Sequence, residues 1–313
     1  MGELMTTVSE LTKLMLRDPL EPGSAEWYKV ISASKVAAIM GLSPYKSAFA
    51  LWHEMAGTIE PDEGNKATER GKYLEPAVLA WFVDQHPEID VYRAHGFRHP
   101  EREDWTAAPD AVGSRDGEAI AVEVKTDQDK IDWGEPLTAQ VPPGYLCQGT
   151  FQMMVTGIRE VRVPVLFGSP SFEFAEYVVK WDDVAEDVPL IIERVEAFQR
   201  SLAAREQPPL DGSQFTYQAL RKLHPQIDPR PIDLPHELAV GFLKAHEKAV
   251  ASALEEAFWK NEIADFMGEA KWAKYANKTI FTRMAKGEGT PYLTIGKSLP
   301  TDEDIQKYRE EED

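Results

Sequence analysis

A chain of 313 residues is long enough to bury a full core, and an apolar fraction of 43% is that of an ordinary globular protein. No run of about 18 apolar residues is present to span a bilayer, the opening Met1-Gly2-Glu3-Leu4 begins no basic and apolar leader, and the single cysteine, Cys147, excludes an internal disulfide framework and four-cysteine zinc or iron–sulfur sites. A formal charge of −19 weighs against a nucleic-acid partner, whose affinity comes largely from Lys and Arg; part of that charge is terminal, in Asp302-Glu303-Asp304 and Glu310-Glu311-Glu312-Asp313, and bound cations would offset more of it. The expectation is an intracellular, cytoplasmic protein with no membrane role.

Caps and periodicity place the elements in order. Ser34 to Met40 reads as a short helix with Ser34 as its N-cap, and Ser47 to Ala56 as another, each closed by a glycine. Ala67 to Asp84 is a stronger helical stretch with an interruption expected at Pro76. The period then changes to strands at Trp105–Val112 and Glu118–Thr126. A helix from Pro143 to Thr156 follows, then strands at Glu160–Phe167 and Phe172–Lys180, and a helix from Asp187 to Arg205. Gln207-Pro208-Pro209-Leu210-Asp211-Gly212 marks a boundary. Beyond it, Pro235 to Phe266 reads as a long helix whose apolar stripe, including Leu238, Phe242, Leu254 and Phe258, is expected to pack on the core, and Thr279 to Ile295 as a hairpin. Mixed strands and helices in this order predict an α/β core with a helical appendix.

The chemistry lies in the stretch from Ala108 to Lys125. Asp116-Gly117 is a two-residue hairpin turn, since a type I′ turn needs positive φ at both central positions. With that turn fixed, Arg115 opposes Glu118 and, by continuation, Asp110 opposes Glu123. Opposed residues share a sheet face with Cβ atoms about 4.5–5.5 Å apart, and like charges there repel; a positive group is expected between them. Lys125 falls on the same face by the period of two, and Ala119 and Ala121 leave room beside it. A hard cation such as Mg²⁺ suits a carboxylate pair of this kind. It would polarise a phosphate and activate water, with Lys125 positioning the attacking water or neutralising developing charge. On spacing alone, an ordinary solvated hairpin with Lys125 in a diagonal ion pair accounts for the same residues.

Pro109-Asp110 followed by Glu123-Val124-Lys125 also has the form of the PD-(D/E)xK nuclease signature. Before and after it stand Trp27, Ser32-Ala33-Ser34, Gly41-Leu42-Ser43-Pro44-Tyr45, Gly71-Lys72-Tyr73-Leu74-Glu75-Pro76, then Tyr145 and Gln148. As an ordered set over residues 24–212, they make the chain resemble the lambda-exonuclease and YqaJ-like viral recombinase family. The resemblance implies a restriction-endonuclease-like α/β core, with a central mixed β-sheet flanked by helices, plus a C-terminal helical extension with a β-hairpin. It implies a metal-dependent exonuclease that digests linear double-stranded DNA from its 5′ end, using Mg²⁺ with Mn²⁺ able to substitute, beside a single-strand annealing protein and as a trimeric ring. In these terms residues 1–212 form the nuclease domain, 213–300 the extension, and 301–313 an acidic tail expected to be disordered. One departure is visible: where the family carries an Arg between the Trp and the Ser motif, Trp27-Tyr28-Lys29-Val30-Ile31-Ser32 offers only Lys29.

The metal set carried over is Glu75, Asp110, Glu123 and the Val124 carbonyl, with Lys125 completing the catalytic residues. Glu75 shares a helix face with Val78, Leu79 and Phe82, where a carboxylate is costly to bury unless paired or metal-bound; the other reading is a dipole-favoured acid just before Pro76. DNA contacts fall to Ser32, Ser34, Lys35, Lys29, Tyr145 and Gln148, although a plain N-cap explains Ser34 equally well. Gln152, on the same side of its helix, reads as part of a half-exposed polar face. Lys29, Lys35, Lys46 and Lys125 are expected to form a basic track. The histidines show no zinc spacing, and no nucleotide-phosphate or serine-hydrolase motif is present. Two rivals keep the same residues: an endonuclease on branched or flapped DNA, and a degenerate module that binds DNA or a partner without cutting.

Overall fold

In a computed structural model the described residues are 6–18, 20–61, 64, 66–93, 96–168 and 172–312, and the chain divides into two units, Met1–Ile227 and Asp228–Asp313. The first unit opens with α1 (Val8–Leu14), β1 (Ile31–Ser32), α2 (Ala33–Ile39), α3 (Ala48–Met55) and α4 (Lys66–Gln85). Strands β2 (Asp90–Arg93), β3 (Phe97–Arg98), β4 (Trp105–Ala107), β5 (Ala111–Arg115), β6 (Glu118–Val122) and β7 (Lys125–Asp127) follow. The rest is α5 (Pro143–Thr156), β8 (Glu160–Phe167), β9 (Glu173–Lys180), α6 (Trp181–Val184), α7 (Val188–Ala204) and α8 (Gln214–Leu223).

The Asp116-Gly117 turn forms as its sequence dictates, with φ of 54° and 86°, and sets Arg115 against Glu118 and Ala111 against Val122. Around this hairpin the main sheet is mixed: β2 pairs antiparallel with β5, β6 and β7 both run parallel to β8, and β9 closes the far side antiparallel. Parallel neighbours need a crossover, which α5 supplies. The expected strand Glu118–Thr126 is in two pieces, because the stretch at Glu123–Val124 lies opposite Pro164 of β8, which has no N–H to give the ladder. The expected strand Trp105–Val112 also divides. Its first half, β4, joins a small sheet with β1 and β3, and Pro109 separates it from β5.

Two layers cover the main sheet. Ala119, Ala121, Val161, Val163 and Val165 point into the larger core with α2, α5 and α7. Ile120, Val122 and Val124 point the other way, onto Val78, Leu79 and Phe82 of α4. The period of two thus assigns each face as expected. α4 runs through Pro76 without a break, so Glu75 lies inside the helix and not at its N-terminus. α8, placed by sequence in the extension, packs on α3 of the first unit through Ala219.

The second unit holds α9 (His236–Met267), a three-stranded antiparallel sheet of β10 (Trp272–Tyr275), β11 (Lys278–Met284) and β12 (Tyr292–Ile295), and α10 (Asp302–Glu312). The expected hairpin is its β11–β12 pair. Leu238, Phe242, Leu254 and Phe258 of α9 are exposed. The acidic tail, expected to be disordered, is helical as α10: Thr301 and Asp304 cap one another at its start, and Lys278 pairs with Asp304 at 2.7 Å. Among the described residues no helix is long and apolar enough to cross a membrane.

Candidate active site

Asp110 and Glu123 stand just past the paired ends of β5 and β6, where the hairpin register carries them together. The Asp110 carboxylate accepts a hydrogen bond from the Val124 N–H at 2.7 Å. Glu123 is buried at 6% exposure, its N–H donating to the Arg162 carbonyl at 2.9 Å. Its Oε1 accepts from Lys125 Nζ at 2.7 Å and from Gln148 Nε2 at 2.6 Å, and its Oε2 from Gln152 Nε2 at 2.6 Å. Lys125 Nζ also donates to Gln148 Oε1 at 3.1 Å and lies 4.8 Å from the centre of the Tyr145 ring. Lys125 thus gives Glu123 a positive partner, and its charge also acts to lower the Asp110 carboxyl.

This arrangement leaves Asp110 under stress. Burial first, then the charge of Glu123, pushes its carboxyl up to about 8; Glu75 adds to the rise, while Lys125 and the Val124 N–H act against it. The Tyr145 hydroxyl is also held above its usual range, chiefly by burial and then by Tyr45.

Asp110 and Glu123 border two cavities. One is an open groove of about 640 Å³, lined by Glu75, Val124, Lys125 and Tyr145 together with Arg70 and Lys72. The second is a hollow of about 240 Å³, lined by Ser32, Ser34, Gln148 and Gln152 and walled by Leu16, Leu20 and Trp27. Glu75 reaches the groove because α4 crosses the sheet where the strand is interrupted. The fold thus gathers Glu75, Asp110, Glu123, Val124, Lys125, Tyr145, Gln148, Ser32 and Ser34 around two adjoining spaces.

Three expectations need correction. Ser32, not Ser34, occupies the N-cap position of α2, and it makes no capping bond; its hydroxyl instead lies 3.0 Å from that of Ser34, at the wall of the hollow. Lys35 is not a surface contact. At 2% exposure its ammonium donates to the Trp27 and Val30 carbonyls and sits over the Trp27 ring, and burial pulls its pKa down to about 7. The basic track also fails to form, because Lys29 pairs with Glu26 at 3.0 Å, Lys46 with the buried Glu54, and Lys125 with Glu123. The cations that line the groove are Arg70 and Lys72, exposed and without an acidic partner among the described residues. Lys35→Met is expected to cost about 1–3 kcal/mol, since it leaves two buried carbonyls without their donor; a denaturant titration showing unchanged stability would refute this structural role.

Gln152 is the residue that sequence reasoning missed. It is fully buried (0% exposed), and its Oε1 has no hydrogen-bond partner among the described residues. The signal was present: Tyr145, Gln148 and Gln152 repeat at helical spacing on α5, all toward Glu123.

As a metal site, the donor chemistry is that of a hard cation: three carboxylates and a backbone carbonyl, with neither His nor Cys among the described residues lining either cavity. Among the described residues no acidic, His or Cys side chains are already drawn into a ready-made metal cluster. Both Glu123 oxygens are engaged by Lys125, Gln148 and Gln152, so a cation must compete with these groups.

Residues 27–159, from Trp27 through α5 and both motif strands, match the model of the YqaJ-like viral recombinase domain. Over those residues the chain resembles that domain. It is similar to the uncharacterized protein YqaJ of Bacillus subtilis (strain 168), 24% identical over 248 residues that cover 78% of this chain and 72% of that protein. Among solved structures it is similar to an alkaline exonuclease (LHK-Exo) from Laribacter hongkongensis, at 22% identity over 58% of this chain and 94% of that one, with a TM-score of 0.45. A phage-related exonuclease from Haemophilus somnus 129PT gives 15% identity over 55% and 93%, with a TM-score of 0.40.

Proposed function

We propose that this protein is a metal-dependent DNA exonuclease that hydrolyses phosphodiester bonds of linear double-stranded DNA from the 5′ end, with Mg²⁺ as cofactor and Mn²⁺ able to replace it. The observation that carries the proposal is the hairpin register: the turn at Asp116-Gly117 brings Asp110 and Glu123 together beside Lys125, where burial first and then the charge of Glu123 push Asp110 up to about 8. The likeness of residues 27–159 to the YqaJ-like viral recombinase domain supports DNA as the substrate, and the oxygen-only donor set supports a hard divalent cation. The family resemblance extends the proposal to an annealing partner for the single strand produced and to a trimeric ring.

Glu75, Asp110, Glu123 and the Val124 carbonyl would hold the cation. When bound, it supplies charge to the phosphate oxygens and lowers the pKa of water. The protein's own residues do the rest. Lys125, within reach of both Glu123 and Gln148, orients the attacking water and offsets the charge that develops on the phosphate. Gln148 and Gln152 hold the Glu123 carboxylate in place, and Arg70 and Lys72 offer contacts to the incoming backbone. Nucleotides bearing a 5′-phosphate would be released.

Digestion of linear and closed-circular duplex DNA, with Mg²⁺ or with EDTA, tests the proposal. Loss of the linear form alone, abolished by EDTA, is the expected result. A cut circle would replace the exonuclease with an endonuclease, and intact DNA of both forms despite binding would leave a non-catalytic module.

A further inference from the structure

The hollow beside the carboxylates does not end the charged path. Its walls at Leu16 and Leu20 are shared with a further cavity of about 550 Å³, whose lining includes Lys13, Arg17 and Arg98 against Asp18 and Glu103. In a chain of net charge −19 a local excess of cations runs against the average. The fold holds these cations together. Lys13 stands in the last turn of α1, and the segment after it is pinned to β3 by the Leu16 N–H bond to the Gly96 carbonyl at 2.8 Å and by a bridge between Met15 and Phe97. Lys13, Arg17 and Arg98 all line the resulting cavity.

None of the three cations forms a close ion pair among the described residues, in contrast to Lys29, Lys46 and Lys125, although the charge of Lys13 is felt by Glu10 one turn back on α1. Arg98 adds a separate observation: its Nε is buried and has no hydrogen-bond acceptor among the described residues. A buried guanidinium nitrogen lacking an acceptor, at the edge of a cationic cavity, matches a phosphate oxygen in charge and in geometry. His99 offers no charge of its own. Burial and Arg102 pull its pKa down, and its Nδ1 accepts from the Glu101 and Arg102 N–H groups.

We propose that Lys13, Arg17 and Arg98 form a second nucleic-acid contact surface, which holds the phosphodiester backbone of a single DNA strand continuing past the carboxylate pair. The groove with Arg70 and Lys72 and the hollow that adjoins this patch both border Asp110 and Glu123. A strand running through both spaces past the carboxylates would meet cations in the groove and again at the patch. The proposal rests on the nuclease reading for its substrate, while its binding site is separate from the catalytic residues.

The test is equilibrium binding of labelled DNA in EDTA, so that no cleavage occurs, with the full-length wild type and a Lys13→Glu/Arg17→Glu variant. Both positions are exposed and outside the core, and a thermal melt checks the fold. The probes are a blunt duplex and the same duplex with a single-stranded overhang, of either polarity. The expected result is a loss of at least about tenfold in affinity for one overhang probe, a salt dependence flattened by roughly one to two units of slope, and little change for the blunt duplex. Equal affinities for wild type and variant, or an equal loss on blunt and overhang DNA, would overturn the proposal. Cleavage by wild type in Mg²⁺ is scored separately: an overhang-specific loss in a protein that cuts nothing would retain the patch and remove the nuclease, whereas active cutting with no such loss would do the reverse.

Discussion

Glu123→Gln is expected to fold as the wild type does and to lose hydrolysis by about 10³-fold or more, the scale on which charge-bearing active-site groups act. The fold survives because of what surrounds the carboxylate. An amide NH₂ in place of Oε1 would face the Lys125 ammonium, so the amide must turn its nitrogen toward Gln152. Gln152 can accept it by rotating its own amide, since its Oε1 has no partner to lose. Shape and hydrogen-bond count are then nearly conserved, while the charge that would hold the cation is gone. Single-turnover hydrolysis of a linear duplex and a thermal melt read the two halves. Activity within tenfold of wild type would remove Glu123 from the catalytic centre, and a collapsed melting temperature would assign the loss to folding.

What could be read in the sequence follows from where the information is local. The Asp116-Gly117 turn fixes a register, and a register carries every later pair with it, so the meeting of Asp110 with Glu123 needed nothing beyond arithmetic. Glu75 was legible for a similar reason, since its spacing to Val78, Leu79 and Phe82 survives wherever α4 packs. Lys35 was not. Its position on a short helix near two serines says solvent and phosphate, and what buries it is a pair of carbonyls, Trp27 and Val30, presented by a preceding 3₁₀ turn and the loop after it. Gln152 failed in the opposite direction. A lone glutamine on a helix is usually solvated, and only the arrival of Glu123 from a strand 29 residues earlier makes its burial tolerable. The divisions of the two long strands were written in Pro109 and Pro164, but the second lies on a neighbouring strand, where one-dimensional periodicity does not see it. Arg70 and Lys72 were passed over because nothing local distinguishes a groove-lining cation from any other exposed one.

The affinity of the protein for Mg²⁺ is expected to depend steeply on pH, and the cause is Asp110. With its carboxyl pushed up to about 8 by burial, Glu123 and Glu75, Asp110 is protonated in the metal-free fold at neutral pH. Between its ordinary value near 3.8 and about 8, the folded chain therefore binds a proton that the unfolded chain has released. Linkage then gives a metal-free fold that loses stability as pH rises through this window and levels off above about 8. A cation ligated by Asp110 must displace that proton. Below about pH 8 binding should release one proton and tighten by about tenfold per pH unit, flattening above it. Calorimetric titration of Mg²⁺ in buffers of different ionisation heat, from about pH 6 to 9, measures both quantities at once. Asp110→Asn should abolish the proton release, weaken binding most at high pH, and remove the pH-dependent loss of stability in the metal-free protein, because the amide carries no charge against Glu123. Proton release that persists in Asp110→Asn would move the titrating group elsewhere. An affinity that does not change across this range would mean that Asp110 is not a ligand, and the site would have to be rebuilt around Glu123 and Glu75.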